Sequence, residues 1–246
     1  MRRFYAPPSQ FTQDKIELNL DESRHLRDVL RLGLGDEVSV FDGEGREYRS
    51  SVTETGHGKH VAKLKVLEEI KPAAPESKLG LTLAMALLKG EKFDLVIQKA
   101  TELGVNKIIP LQTARADVKI KTGDVDKKLE RWRRVALEAV KQSGRAKIPE
   151  IAEPTLLPAF LGDVDELKLF FSERGGTGLS GFVSGKPRAE KLIAIVGPEG
   201  GWEDGEIDAA RETGCHIITL GGRILRAETA GIVVTALLQN LFGDLQ

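Results

Sequence analysis

Arg223, Arg226 and Glu228 lie close together between an apolar run, His216–Leu220, and a helix that the sequence opens near Thr229. Two guanidiniums supply fixed positive charge for an oxyanion or a phosphate. A carboxylate beside them can accept a proton or orient an arginine. Glu228 also has a plainer role, as a first-turn carboxylate favoured by the helix dipole. Just upstream sits Gly221-Gly222. A second glycine turn, with Gly197, Gly200 and Gly201, follows the run that ends at Val196. Glycine allows backbone angles and close ligand approach that a Cβ would block. Both apolar runs read as buried parallel strands, and open α/β sheets bind ligands at the carboxyl ends of such strands. Two turns within about one βαβ unit suggest one site built by both, although an ordinary loop explains either glycine cluster alone.

The elements that must hold these turns follow from periodicity. Leu79–Leu87 and Lys107–Leu111 read as strands, and Lys92–Leu103 has helical spacing up to Gly104. A polar loop with Arg115, Lys119 and Lys121 leads into a helix over Asp126–Ser143. Its Leu129, Trp132, Ala136, Ala139 and Val140 face a core. Arg131, Arg134, Lys141 and Arg145 fall near a second face, broken by Glu138. A solvated face and an RNA surface explain this basic stretch equally well. Pro149–Pro158 is irregular, Lys168–Ser172 is a strand, and Glu173–Lys186 reads as a mobile glycine- and serine-rich loop. Strand Leu192–Val196, helix Asp204–Thr213, strand His216–Leu220 and helix Thr229–Phe242 complete an α/β half with a mainly parallel sheet.

The first 72 residues differ. Lys15–Leu20, Asp36–Phe41, Arg46–Glu54 and His60–Leu67 read as strands, with Asp42-Gly43 as a turn, and a small barrel fits them. Asp21 or Ser23 caps a short helix carrying His25, Leu26, Val29 and Leu30. Arg24, Arg27 and Arg31 lie near helical spacing and can share a face, either solvated or directed at RNA phosphate. The stretch KPAAPESK, residues 71–78, reads as a linker. The expected domains are therefore 1–72 and 73–246.

Composition narrows the classes. The 246 residues carry 36 Lys and Arg against 37 Asp and Glu, a net charge of −1, so any nucleic-acid surface must be a local patch. One cysteine excludes a disulfide framework within the chain and favours a cytoplasmic setting. No apolar run is long enough to span a membrane. Walker-type, GxGxxG, zinc and GxSxG patterns are lacking, and no metal is expected. Trp202 reads as a packing residue, and Cys215 as a small buried one.

GPEGGW (Gly197–Trp202) and LGGRILRAETA (Leu220–Ala230) closely resemble the signature of the SPOUT methyltransferases. Within that class the chain is most similar to the small-subunit (16S) ribosomal RNA uridine-N3 methyltransferase family. The likeness extends to Arg2–Tyr5, His25–Asp36, Leu88–Val105, the arginine of TARAD (Arg115), and QSGR (Gln142–Arg145). It implies a C-terminal SPOUT α/β-knot domain containing a trefoil knot, an exception to the rule against knots. It also implies an N-terminal PUA-like β-barrel, a homodimer, S-adenosyl-L-methionine as cofactor, and 16S RNA or the small ribosomal subunit as partner. Cofactor contacts would fall on Gly197, Pro198, Glu199, Gly200, Gly201, Leu220, Gly221, Gly222, Ile224, Leu225, Thr229 and Ala230. Arg226, Glu228 and Arg115 would serve catalysis. Arg24, Arg27, Arg31, Arg115, Arg134, Lys141 and Arg145 would meet RNA. Gly222, Ala227, and the alanines Ala114 and Ala116 of TARAD depart from the family pattern, and the two alanines would remove polar groups from an RNA-facing loop. Methylation of a ribose 2′-oxygen or another base atom, and a non-catalytic RNA-binding role, are the alternatives.

Overall fold

In the computed structural model, which describes residues 1–162, 166–184 and 189–245, the chain forms two compact units. One comprises Met1–Glu76 with Val140–Ile148, the other Ser77–Ala139 with Pro149–Gln246. The first boundary lies a few residues beyond the expected one. The return of Val140–Ile148 to the first unit had no signal in the sequence.

The first unit holds β1 (Arg2–Tyr5), β2 (Phe11–Thr12), β3 (Lys15–Glu17), β4 (Glu37–Phe41), β5 (Glu47–Glu54) and β6 (Lys63–Ile70). Their order is β1-β4-β5-β6-β3-β2, with β1 parallel to β4 and the other pairs antiparallel. Alternating residues such as Phe4, Val38, Val40, Val52 and Leu64 fill one core. The expected cap proves to be Asn19, whose side chain accepts from the Glu22 amide at 2.8 Å and starts α1 (Leu20–Arg24). A π-helical turn, His25–Val29, continues α1. Arg31 stands beyond it in a left-handed conformation, φ +55°, so no single helical face joins Arg24, Arg27 and Arg31.

Arg3 fastens the Val140–Ile148 segment. It meets Glu47 at 3.0 and 3.1 Å, stacks on Phe41, and donates to the carbonyls of Val140 and Arg145. Lys141 pairs with the buried Glu22. Arg145, only 3% exposed, pairs with Glu76 at 2.7 Å. Lys141 and Arg145 are thus spent on internal ion pairs. The expectation that Arg145 faces RNA fails because its guanidinium is buried.

The second unit contains one parallel sheet built from β7 (Gly80–Ala86), β8 (Lys107–Gln112), β9 (Glu150–Ile151), β10 (Thr155–Leu156), β11 (Lys168–Phe171), β12 (Thr177–Gly178), β13 (Lys191–Val196) and β14 (His216–Thr219). The order is β10-β8-β7-β13-β11-β14-β12, with β9 also beside β8. The main strands are buried on both faces, which explains their unbroken apolar runs. One face packs on α2 (Lys92–Glu102), α3 (Val125–Ser143) and α7 (Ala227–Phe242). The other packs on α4 (Leu157–Gly162) and α6 (Asp204–Glu212). A further helix, α5 (Leu179–Val183), and β12 occupy the stretch read as a mobile loop, and its last residues fall outside the described ones. Helix α7 opens at Ala227, two residues before the expected start. Among the described residues no helix is long and apolar enough to cross a membrane.

Arg145→Ala should lower stability by about 2–3 kcal/mol in chemical denaturation. That is less than for a fully buried pair, because Glu76 keeps some exposure. An unshifted midpoint with weakened RNA binding would return Arg145 to a surface role.

Candidate active site

Three strand ends meet in one cavity. From β11 come Phe171, Ser172 and Glu173, and from β13 come Val196, Gly197 and Pro198, followed by Gly201 and Trp202. The third wall is the segment after β14: Leu220, Gly221, Arg223, Ile224 and Leu225, then Ala227 and Ala230 of α7. Because β11 lies between β13 and β14, its carboxyl end falls between the two glycine turns.

Trp202 sets the shape of the turn after β13. Its indole is 1% exposed, packs on Phe170 with centroids 4.3 Å apart, and donates from Nε1 to the Phe171 carbonyl at 2.8 Å. A Cβ on Gly197 would stand 2.8 Å from the indole Cε2, so glycine is required there by packing. Gly201 has φ +68° and donates to the Pro198 carbonyl, closing the turn. Arg174 adds a second fastening through the Trp202 carbonyl, at 2.8 Å, and Asp204, at 2.7 Å.

Arg115 reaches this turn from the loop after β8. Its guanidinium lies 3.4 Å from the Gly200 carbonyl and 3.7 Å from Glu203. The Ala114 amide donates to Glu206, and Glu203 and Glu206 form the capping box of α6. Gly200 is small because the Arg115 backbone packs on it, with the Arg115 Cβ 3.1 Å from where a Cβ would sit. Ala116 is buried, so its methyl belongs to packing rather than to an RNA-facing surface.

Arg226 occupies the N-cap of α7 without a capping hydrogen bond, and is exposed. Neither Arg226 nor Arg223 has an ion pair among the described residues. Ile224 is 87% exposed. Glu228 turns the other way. Its side chain is 12% exposed, and Lys92 Nζ lies 3.6 Å from its Oε2 and 3.0 Å from Glu199 Oε1. Hydrogen bonding to Glu199, then the charges of both carboxylates, raises the Lys92 pKa above the ordinary lysine value. Lys92 therefore keeps its charge to a higher pH than a free lysine, and on the alkaline side the bridge weakens only as pH rises through that raised value.

The cavity thus gathers Gly197, Pro198, Gly201, Leu220, Gly221, Ile224, Leu225 and Ala230 of the expected cofactor set. Glu199 turns to Lys92, Gly200 to Arg115, and Gly222 and Thr229 do not line it. Phe171, Ser172 and Glu173 were missed. The strand before them was legible, but its place between β13 and β14 was not. Of the expected RNA set outside the site, Arg24 is exposed beside Asp21, and Arg27 holds Asp28 and the Gly56 carbonyl. Arg31 and Arg134 are exposed.

Comparison with known proteins shows the family. An RNA methyltransferase domain model matches residues 75–239, and an RNA methyltransferase PUA domain model matches residues 18–65. A Synechocystis ribosomal RNA small subunit methyltransferase E is 34% identical over 97% of this chain and 77% of its own. The chain belongs to the ribosomal RNA small subunit methyltransferase E family. A family member from Neisseria gonorrhoeae, solved with S-adenosyl methionine, is 32% identical over the whole of both chains, with a TM-score of 0.88. A putative methyltransferase from Legionella pneumophila, solved with the same cofactor, has 33% identity and a TM-score of 0.88 over 99% of this chain and 98% of its own.

Gly197→Ala should displace Trp202, lower stability by about 1–3 kcal/mol, and remove most of the thermal shift produced by S-adenosylmethionine. Gly222→Ala, with open space around it, should leave both within about 0.5 kcal/mol of the unsubstituted protein. Equal behaviour of the two variants in thermal melts would refute the packing account of Gly197.

Proposed function

We propose that this chain transfers a methyl group from S-adenosylmethionine to N3 of a uridine in 16S ribosomal RNA. The observation that carries the reading is the cavity of three strand ends, with Arg223 in its lining and the exposed Arg226 next in sequence to its lining residues Leu225 and Ala227, neither in an ion pair among the described residues. Val196, Ile218, Leu220, Leu225, Ala227 and Ala230 give it apolar walls suited to an adenine ring. Backbone groups of the two turns and the Glu173 carboxylate would supply polar contacts for the rest of a cationic ligand. When bound, the cofactor supplies an electrophilic methyl group.

The residues of the chain do the remaining work. Uridine N3–H is a weak acid, and attack by nitrogen requires its anion or loss of the proton as the bond forms. A fixed guanidinium beside a base oxygen stabilises that charge, and Arg226 is free to do so. Glu228, paired with Lys92, orients the start of α7 and with it the backbone that carries Arg226. Arg115 braces the turn after β13 and so fixes the wall against which the base must lie. N3 belongs to the Watson–Crick edge, so the target is unpaired or flipped when it enters. We further propose a homodimer, supported by the half-exposed Leu95 and Leu237 on the packed helices α2 and α7, and the assembled small subunit as substrate.

The test is transfer of labelled methyl to small subunits lacking the modification, followed by nucleoside mass spectrometry. Appearance of 3-methyluridine is expected, and another methylated nucleoside would overturn the N3 assignment. Arg226→Ala should lower turnover by about 100-fold or more, as loss of an oxyanion-type donor does, with cofactor affinity in calorimetry unchanged. Equal loss of both would move Arg226 into the cofactor site.

A further inference from the structure

The cations of this protein are unevenly paired. In the first unit Arg3, Arg24, Arg27, Arg46, Arg49, Lys63 and Lys65 each hold a carboxylate. The polar loop before α3 and the first half of that helix behave differently. Among the described residues, no ion pair engages Lys119, Lys121, Lys127, Lys128, Arg133 or Arg134. Four of them, Lys119, Lys127, Lys128 and Arg134, line one groove whose floor includes Val118 and Ile120. Arg131, also in the groove, is already held by Asp94 at 2.7 Å, and the carboxylates facing it are Asp124 and Glu130. With Arg131 set aside with its partner, four cations stand against two anions, in a chain whose net charge is −1. Unpaired like charges repel one another, so such a cluster is a cost to the free protein that an anionic partner would remove.

We infer that this groove binds the phosphate backbone of the RNA substrate. The inference rests on the methyltransferase reading and assigns its RNA contact to cations of the second unit rather than to Lys141 and Arg145. The chemistry of the groove selects phosphate over bases. Three of its four free cations are lysines, which act as flexible point charges rather than planar forks. The one aromatic residue of this half-helix, Trp132, is 3% exposed and offers no stacking surface. The groove therefore adds affinity without reading sequence, and leaves choice of the nucleotide to the loop carrying Arg223, Ile224 and Arg226. Its place fits that division. Arg134 also lines the adjoining hollow that contains Lys92, which pairs with Glu199 and Glu228 at the reaction site. The phosphates held would flank the target nucleotide.

The test is a triple variant, Lys127→Gln with Lys128→Gln and Arg134→Gln, assayed with unmodified small subunits and with their naked RNA. Removal of three phosphate contacts should lower the slope of log affinity against log salt by about 2, and weaken binding about tenfold at physiological salt. KM for RNA should rise while kcat, cofactor affinity and the modified nucleoside stay the same. An equal loss on replacing the exposed Lys59, Lys71 and Lys78 by glutamine would assign the effect to overall charge and overturn the groove. Unchanged affinity for naked RNA with weakened binding to subunits would assign the groove to an acidic protein surface instead. Absence of methyl transfer by the unsubstituted protein would count against the methyltransferase reading itself, and the salt slope would still report on the groove.

Discussion

The indole of Trp202 is the contact on which the site depends. It lies in the turn after β13, yet its hydrogen bond goes to the end of β11 and its ring stacks on Phe170 of that strand. Two neighbouring strands are thereby locked at their carboxyl ends, where the cavity opens. A buried indole left without an acceptor is costly, and a shifted ring would open a gap beneath the turn. The requirement propagates outward. Gly197 has to be glycine so that the ring fits, Gly201 has to take a left-handed conformation to close the turn, and Arg174 ties the Trp202 carbonyl to the start of α6. The cavity walls are consequences of that packing, and a ligand meets a site already shaped for it.

A second constraint acts from the opposite wall. Lys92, at the start of α2, shares its charge between Glu199 of one turn and Glu228 of α7. A single cation between two carboxylates leaves Glu228 Oε2 without a hydrogen bond among the described residues, although the atom is buried. That arrangement keeps negative charge close to the N-terminus of α7, which the helix dipole favours. It also keeps Arg226, the preceding N-cap residue, free of an internal partner. Burial of the carboxylate and exposure of the arginine are two results of one helix start.

How much of this could be read from the chain follows the physics of each feature. Strands buried on both faces give long apolar runs, so β7, β11 and β13 were legible, and the shorter apolar runs of β8 and β14 were legible beside them. Helix spacing and Gly104 marked α2. The glycine turns marked their own strands, but not the neighbour between them, because strand order is a property of the fold and not of any local pattern. Phe171, Ser172 and Glu173 were hidden for that reason. The start of α7 was misplaced because Arg226 caps it without a side-chain bond, so the usual capping residue type was lacking. Asn19 was passed over for Asp21 and Ser23 although it is an equally good capping type, and only the backbone decides among the three.

Charge was the least legible quantity of all. Arg134, Lys141 and Arg145 look alike in the sequence, at near-helical spacing along one basic stretch. Their fates differ because the chain leaves the second unit at Val140 and joins the first, where Glu22 and Glu76 wait for Lys141 and Arg145. Once those two are neutralised internally, the basic character of the stretch retreats to its N-terminal half. Counting lysines and arginines therefore overstates the length of an electrostatic footprint and misplaces its centre. What an anionic partner can feel is the residue left after internal pairing, and on α3 that residue is Lys127, Lys128, Arg133 and Arg134. A protein with near-zero net charge can then hold a polyanion only by concentrating unpaired cations in one place. Concentration requires that the other arginines be pinned to carboxylates, as Arg3, Arg46 and Arg49 are.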